Sequence, residues 1–331
     1  MRVLAGDIGG TKTLLEVADV APGAHRVLAQ GRYLSNAYDS LLPMIREFIG
    51  TAGAGKMSAL HGACFGVAGP ITNGGAGQCA RLTNLPWEVD TAVLAHGLGI
   101  GRVRLINDFQ AVGYGIEVLE PGDLAVLQEG HEISLAPRAV IGAGTGLGVG
   151  ILVWQNDHYE ALPTEGGHAD FAPTSVLQVD LLRNLMGRFG RVSYERLLSG
   201  PGLVNIYSFL SAGAGESAEM KAVMEAQDPA AAIAGAARER HQPVAVRALQ
   251  VFAEIYGAQA GNLALTCLAR GGVYLAGGIA PKIIATLREP AFLRAFNDKG
   301  RMSELTAAMP VRVVMNPGVG LIGAALAASR L

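Results

Sequence analysis

Val3-Leu4-Ala5-Gly6-Asp7-Ile8-Gly9-Gly10-Thr11-Lys12-Thr13 decides the reading of this chain, because a short apolar run breaks into glycine and then resumes. Val3–Ala5 predicts a strand and Lys12–Val20 its hairpin partner. Glycine between two strands marks backbone that turns with positive φ or approaches a ligand closely. The motif is not a Walker loop, since Lys12 follows Thr11 rather than glycine. The layout returns at Val140-Ile141, which runs into Gly142-Ala143-Gly144-Thr145-Gly146-Leu147-Gly148 and a second strand, Val149–Trp154. Glycine at every second position lacks the spacing of the dinucleotide fingerprint. A third pair, Gly277-Gly278, follows strand Val273–Ala276 and precedes a helix. Alone, each loop fits a tight hairpin as well as a ligand loop. Together, two strand–turn–strand loops with threonine after glycine can present amides to phosphate oxygens, and Gly277-Gly278 leaves a flat surface for a nucleoside.

Outward from these loops the pattern alternates. Val27–Leu34 and Cys64–Ala68 predict strands, and Leu41, Leu42, Ile45, Phe48 and Ile49 share one helical stripe. Val103–Ile106 is a further strand, after which Asn107-Asp108 opens a helix over Phe109–Val118. The region from 174 to 270 reads as mostly helix, with a loop at Ser211–Ser217 and a long segment from Pro243 to Arg270. Strand Val311–Val314, the turn Asn316-Pro317-Gly318 and an Ala-rich helix close the chain. Such alternation argues for an α/β sheet, and the restart near residue 139 for a duplication.

Composition narrows the function classes. At roughly 150 residues per domain, 331 residues suggest two domains. Lys and Arg number 26 against 28 Asp and Glu, so the basic stripe of a nucleic-acid binder and the polybasic cluster of a membrane binder are both missing. No apolar run reaches the roughly 18–20 residues of a membrane span, and Met1-Arg2 leads straight into a strand without a signal peptide. Cys64, Cys79 and Cys267 are scattered and form neither a disulfide framework nor a metal knuckle. A cytoplasmic protein is the expectation. Glycine, 45 residues, stands at about twice ordinary usage and clusters after strand-like runs.

Several side chains suit chemistry at such loops. Asp7 can hold Mg²⁺ through water, because this hard cation keeps most of its hydration. Phosphate cradles beside a metal carboxylate describe a nucleoside triphosphate site. Asp108 stands just past a strand at a helix start, which fits a helix cap and a catalytic carboxylate equally. Glu165 and His168 fit half a metal site, yet no further His or Cys is suitably placed, and a closed zinc site needs four ligands. Thr83-Asn84-Leu85-Pro86-Trp87 can line a ligand cleft, although Trp87 alone reads as core. Asp170 and Asn262 read as supporting groups.

Gly6–Thr11, Gly142–Gly148 and Ala276-Gly277-Gly278-Ile279 resemble the two phosphate loops and the adenosine loop of the actin–hexokinase superfamily. Within it the chain is similar to the bacterial glucokinases. The resemblance is carried by Leu105-Ile106-Asn107-Asp108-Phe109, Thr164–Pro173, Glu195–Leu203, Gly261-Asn262-Leu263-Ala264-Leu265 and Asn297-Asp298-Lys299-Gly300-Arg301, in family order along nearly the whole chain. Lys12 departs from the asparagine that many members carry, and the Cys-rich zinc motif of ROK sugar kinases is missing.

The resemblance implies a duplicated ribonuclease-H-like α/β fold in two domains with a cleft between them. A small domain would take residues 1–118 and 310–331, and a large one 119–309 with a helical insertion. It implies ATP-dependent phosphorylation of glucose at the 6-hydroxyl, the first step of glycolysis, with Mg²⁺, in a homodimer whose domains close to exclude water. Asp108 would be the general base. Asn107, Asp108, Glu165, His168 and Glu195 would contact the hexose. Gly6, Asp7, Ile8, Gly9, Gly10 and Thr11, with Gly144, Thr145, Gly146, Gly277 and Gly278, would bind the nucleotide. Two rivals remain: a kinase for mannose, fructose or N-acetylmannosamine, which pocket residues discriminate by only a few kcal/mol, and a sugar-sensing transcription factor. The second needs a helix-turn-helix before the loop, and the loop begins at Gly6.

Overall fold

The computed structural model describes residues 1–21, 24–53, 60–74, 77–82, 85–214, 217–239 and 242–331. The chain falls into two compact units, Met1–Asp123 with Gln155–Pro163 and Asn316–Leu331, and Leu124–Trp154 with Thr164–Met315. The boundaries expected at 118 and 310 thus lie at 123 and 316, and a short internal segment joins the first unit. Strand Val311–Val314 explains the second shift, because it pairs in the other unit's sheet.

The first unit's sheet runs in the order Ala24–Leu34, Lys12–Ala21, Arg2–Ile8, Gly62–Val67, Val103–Asn107. Arg2–Ile8 is antiparallel to Lys12–Ala21 and parallel to Gly62–Val67, which is in turn parallel to Val103–Asn107. Register places Ile8 beside Val67 and Val67 beside Asn107. Three parallel strands therefore end in one row, the edge at which α/β sheets collect ligands. Gly62–Val67 is buried along its whole length, as expected for a parallel strand covered on both faces. Alternation puts Leu4, Gly6 and Ile8 on one face and Val3, Ala5 and Asp7 on the other. The first face packs on helix Leu41–Ala52 through Leu41, Met44, Ile45 and Phe48.

Two helices, Asp108–Ile116 and Val319–Ser329, pack against one another at backbone distance. A Cβ built on Gly323 would lie 1.7 Å from the Ala111 carbonyl oxygen, and one on Gly115 would lie 2.1 Å from that of Val319. The Ala-rich closing helix is small-sided because the neighbouring helix leaves no room for more.

The second unit repeats the arrangement. Arg138–Ala143 is antiparallel to Leu147–Gln155 and parallel to Val273–Ala276, which is parallel to Val311–Val314. Leu124–Gln128 adds an antiparallel strand beyond. A central strand with a hairpin partner on one side and two parallel strands on the other thus occurs twice, and the duplication is real. The helices Val176–Phe189, Gly200–Ala214, Ala218–Ala226, Pro229–Arg238 and Pro243–Cys267 follow. The loop expected at Ser211–Ser217 is corrected. Ser211 to Ala214 complete a helix, residues 215–216 lie outside the described residues, and Ser217 caps the next helix by accepting from the Met220 amide at 3.1 Å. The long helix stops at Cys267, three residues early, because Leu268 takes a left-handed conformation with φ of 49°. Among the described residues no helix is long and apolar enough to cross a membrane.

The helix crossing gives a stability test. Gly323→Val should lower the urea midpoint by the equivalent of about 1–3 kcal/mol or more, the usual cost of overpacking. Gly187→Ala, on a helical position with nothing within 4 Å, should instead stabilise by about 0.5–1 kcal/mol. Equal midpoints for the wild type and Gly323→Val would mean that the helices do not meet there.

Candidate active site

In the first unit the turn after Arg2–Ile8 is held from both sides. The Gly9 amide donates to the Lys12 carbonyl at 3.0 Å, and the Ser35 amide donates to the Thr11 carbonyl at 3.0 Å. Ser35 Oγ donates to the Gly9 carbonyl at 2.7 Å and lies 3.0 Å from Thr13 Oγ1. Among the described residues the amides of Gly10 and Thr11 are left without an acceptor. Ser35 is fully buried, and reading the sequence missed it. Its signal was there in the hairpin register, which sets Leu34 opposite Lys12. Gly6 and Ile8 play a different part. Both are buried in the strand, and a Cβ on Gly6 would meet Phe65 at 2.6 Å, so that glycine serves packing.

Asp7 lies on the face covered by the closing helix, with its Oδ2 3.5 Å from where a Gly320 Cβ would stand. Among the described residues no group donates a hydrogen bond to this carboxylate. Burial pushes its pKa up, and the nearby Lys12 charge opposes the shift. Lys12 itself is exposed.

At the same sheet edge two adjacent polar residues open a helix. Asn107 is the helix N-cap: its Oδ1 accepts from the Phe109 amide at 2.8 Å, and Gln110 Oε1 accepts from the Asn107 amide at 3.0 Å. Gln110 is anchored in turn by Nε2, which donates to the Ala161 carbonyl at 2.8 Å. Asp108 follows as the first helical residue, half-buried, with Oδ1 2.9 Å from the Phe109 amide. There the helix dipole favours a carboxylate. Trp87 is core, 1% exposed, with Nε1 donating to the Tyr38 carbonyl. Thr83 and Asn84 lie outside the described residues.

In the second unit the glycine turn is held in the same manner. The Gly144 amide donates to the Gly146 carbonyl at 2.8 Å, the Gly200 amide to the Gly144 carbonyl at 2.8 Å, and the Ile279 amide to the Ala143 carbonyl at 3.1 Å. Glu195 Oε2 accepts from the Leu147 amide at 3.0 Å. Among the described residues the amides of Thr145 and Gly146 are left over, and Gly144, counted among the amide donors from sequence, is engaged internally. Gly277 adopts φ of 79°, and a Cβ there would sit 2.5 Å from the Ala143 carbonyl oxygen, so the third loop presses on the second. Gly278 faces open space with nothing within 4 Å of its Cβ position.

Glu165, His168 and Glu195 come together beside that turn. His168 Nε2 lies 3.9 Å from Glu165 Oε2, and Nδ1 lies 3.8 Å from Glu195 Oε1. Arg191 holds the His168 turn by donating from Nη2 to its carbonyl at 2.5 Å while Nε pairs with Asp170 at 2.6 Å. Asn262 Nδ2 donates to the Tyr194 hydroxyl at 3.3 Å, next to Glu195. Asp170 and Asn262, read from sequence as supporting groups, thus touch Arg191 and Tyr194, and Arg191 is a residue that sequence did not single out. Among the described residues no three His, Cys, Asp or Glu side chains are grouped to hold a metal ion.

The glucokinase family model matches residues 4–331. A glucokinase of Nostoc sp. is 45% identical over 99% of this chain and 99% of its own length. The crystal structure of a glucokinase from an Antarctic psychrotroph superposes with a TM-score of 0.87 at 30% identity, covering 100% of this chain and 99% of that one. A ROK family glucokinase from Streptomyces griseus, solved in complex with glucose and AMPPNP, shares the actin–hexokinase fold at a TM-score of 0.67, with 21% identity over 100% of both chains. With two duplicated sheets, glycine turns that each leave two amides open, and relatives matched end to end, the chain belongs to the glucokinase family.

Proposed function

We infer that this chain transfers the γ-phosphoryl group of ATP to the 6-hydroxyl of D-glucose, releasing glucose 6-phosphate and ADP. The observation that carries the chemistry is the division of labour at the start of helix Asp108–Ile116. Asn107 and Gln110 form the reciprocal cap, and Asp108 Oδ1 shares the Phe109 amide with Asn107 rather than capping the helix alone. Asp108 accepts the hydroxyl proton as the sugar oxygen attacks the γ-phosphorus. Glu165, His168 and Glu195 bind sugar hydroxyls, which both donate and accept, and Asn107 contributes its remaining amide hydrogens. The open amides of Gly10, Thr11, Thr145 and Gly146 donate to phosphoryl oxygens, whose charge must be balanced during transfer. Gly278 offers the open surface for adenosine.

A magnesium ion fits Asp7. The carboxylate is half-buried and lacks a hydrogen-bond donor among the described residues, and the rise in its pKa is opposed by a nearby positive charge. Bound through water, Mg²⁺ would neutralise phosphate charge. A cytoplasmic location, in keeping with ATP as the donor, and a homodimer complete the reading.

A panel of hexoses in a coupled ADP-release assay tests the reading. Glucose should give the highest kcat/KM, ahead of mannose, fructose and N-acetylmannosamine. A higher value for any of these would reassign the substrate, and no turnover with any sugar would refute the activity.

Asp108→Asn should lower kcat by about 10²–10⁴-fold, the usual worth of general-base catalysis. Because Asn107 remains the cap, the melting temperature and the ATP KM should barely move. A variant that unfolds while its folded fraction turns over normally would make Asp108 structural.

Asp7→Asn should make the ligand-free protein more stable, since a buried charge is removed, while raising the KM for MgATP. The sign follows from the raised folded-state pKa. The penalty is missing below the ordinary value near 3.8 and complete above the raised one, so the gain should grow as pH rises through that interval. A melting temperature that falls at pH 7 would contradict this.

A further inference from the structure

We propose that Glu195 couples glucose binding to ATP binding by sharing one carboxylate between the sugar-side turn and the second phosphate turn. The proposal rests on the reading above, in which Glu165, His168 and Glu195 face the sugar. Its own observation is the split of the two carboxylate oxygens. Oε2 accepts the Leu147 amide at 3.0 Å, one residue past the open amide of Gly146, while Oε1 lies 3.8 Å from His168 Nδ1. The carboxylate lies directly on the turn: a Cβ on Gly146 would come within 2.5 Å of Oε2. A Cβ at 146 would have to push the Glu195 carboxylate off the turn.

The backbone around Glu195 reaches the same turn a second time. Its carbonyl accepts Ser199 Oγ at 2.7 Å, Ser199 Oγ accepts the Gly202 amide at 3.0 Å, and the intervening Gly200 amide donates to the Gly144 carbonyl at 2.8 Å. Residues 195–200 therefore grip the turn at Gly144 and at Leu147, on either side of Thr145 and Gly146. On the other side, Tyr194 donates its amide to the Ala169 carbonyl at 2.9 Å, and Asp170 bridges Ser193, so the His168 turn and the Glu195 turn move as one body. A sugar hydroxyl that orders Oε1 and His168 thereby orders Oε2, the Leu147 amide and the orientation of the Gly146 amide. By reciprocity, nucleotide on the turn orders the sugar side by the same factor.

The experiment measures the Kd of Mg-AMPPNP by calorimetry without and with saturating glucose. The wild type should show a ratio of about 5-fold or more, within the usual range of coupling. Glu195→Ala, which empties both contacts, should bring the ratio near one. Glu195→Gln, which retains shape but has one acceptor oxygen, should lie between, and it serves if the alanine variant fails to fold. His168→Ala should weaken glucose binding yet keep the wild-type ratio once glucose saturates, because the Leu147 contact survives. Glu195 variants that keep the full ratio, or loss of the ratio in His168→Ala, would overturn the proposal. A wild type that phosphorylates glucose with a ratio of one would overturn it while leaving the function intact. A wild type that binds no glucose would overturn the functional reading itself.

Discussion

Both glycine turns are held by hydrogen bonds on either side of two adjacent amides that, among the described residues, find no acceptor. A turn of glycines left to itself samples many conformations, and ordering it is entropically costly. Ser35 and the Lys12 carbonyl fix the first turn, and Gly200, Ile279 and Glu195 fix the second. What remains in each is a pair of N–H groups with a set direction and no internal acceptor. Such pairs attract anions without any positively charged side chain, in keeping with a net charge of −2 over the chain.

The restraints come from different sources in the two halves although the strand order is duplicated. The first turn is restrained by a serine at the end of the hairpin's third strand, Ala24–Leu34. The second is restrained by a carboxylate from a turn that precedes helix Gly200–Ala214. Duplication preserved the sheet, where backbone pairing sets the geometry whatever the side chains are. The turn supports were free to diverge. In the second unit the support is an ionisable group that also faces the proposed sugar side, which gives that turn a link the first one lacks.

Much of this was legible from the residues, and the boundary of legibility has a physical cause. Val273–Ala276 and Val311–Val314 are strands as read, because short apolar runs bounded by glycine or proline admit little else. The duplication was visible as a layout of strand, glycine, threonine, strand. Ser211–Ala214 was misjudged because small and polar residues have weak local preferences, and packing of helix Gly200–Ala214 overrode them. Ser35, Gln110 and Arg191 escaped notice because each acts through a partner distant in sequence: Gly9, Ala161 and Asp170. The participation of Gly144 was overstated, because an amide's internal acceptor cannot be known before the turn is built.

The start of helix Asp108–Ile116 shows how a fold can position the proposed base. A carboxylate at an N-cap is held by backbone amides, which stabilise its ionised form and weaken it as a base. Here the sequence places Asn107 one residue earlier, and Gln110 closes the reciprocal bond while anchored on Ala161. The cap thus consists of two neutral amides on either side of the acid. The helix behind it cannot drift, since Gly323 brings the closing helix against the Ala111 carbonyl. A proton acceptor needs a fixed position more than a lowered pKa, because proton transfer depends on reach before driving force. Close helix packing supplies the position, the neutral cap shares the Phe109 amide with the proposed base, and the row of three strand ends sets where both occur.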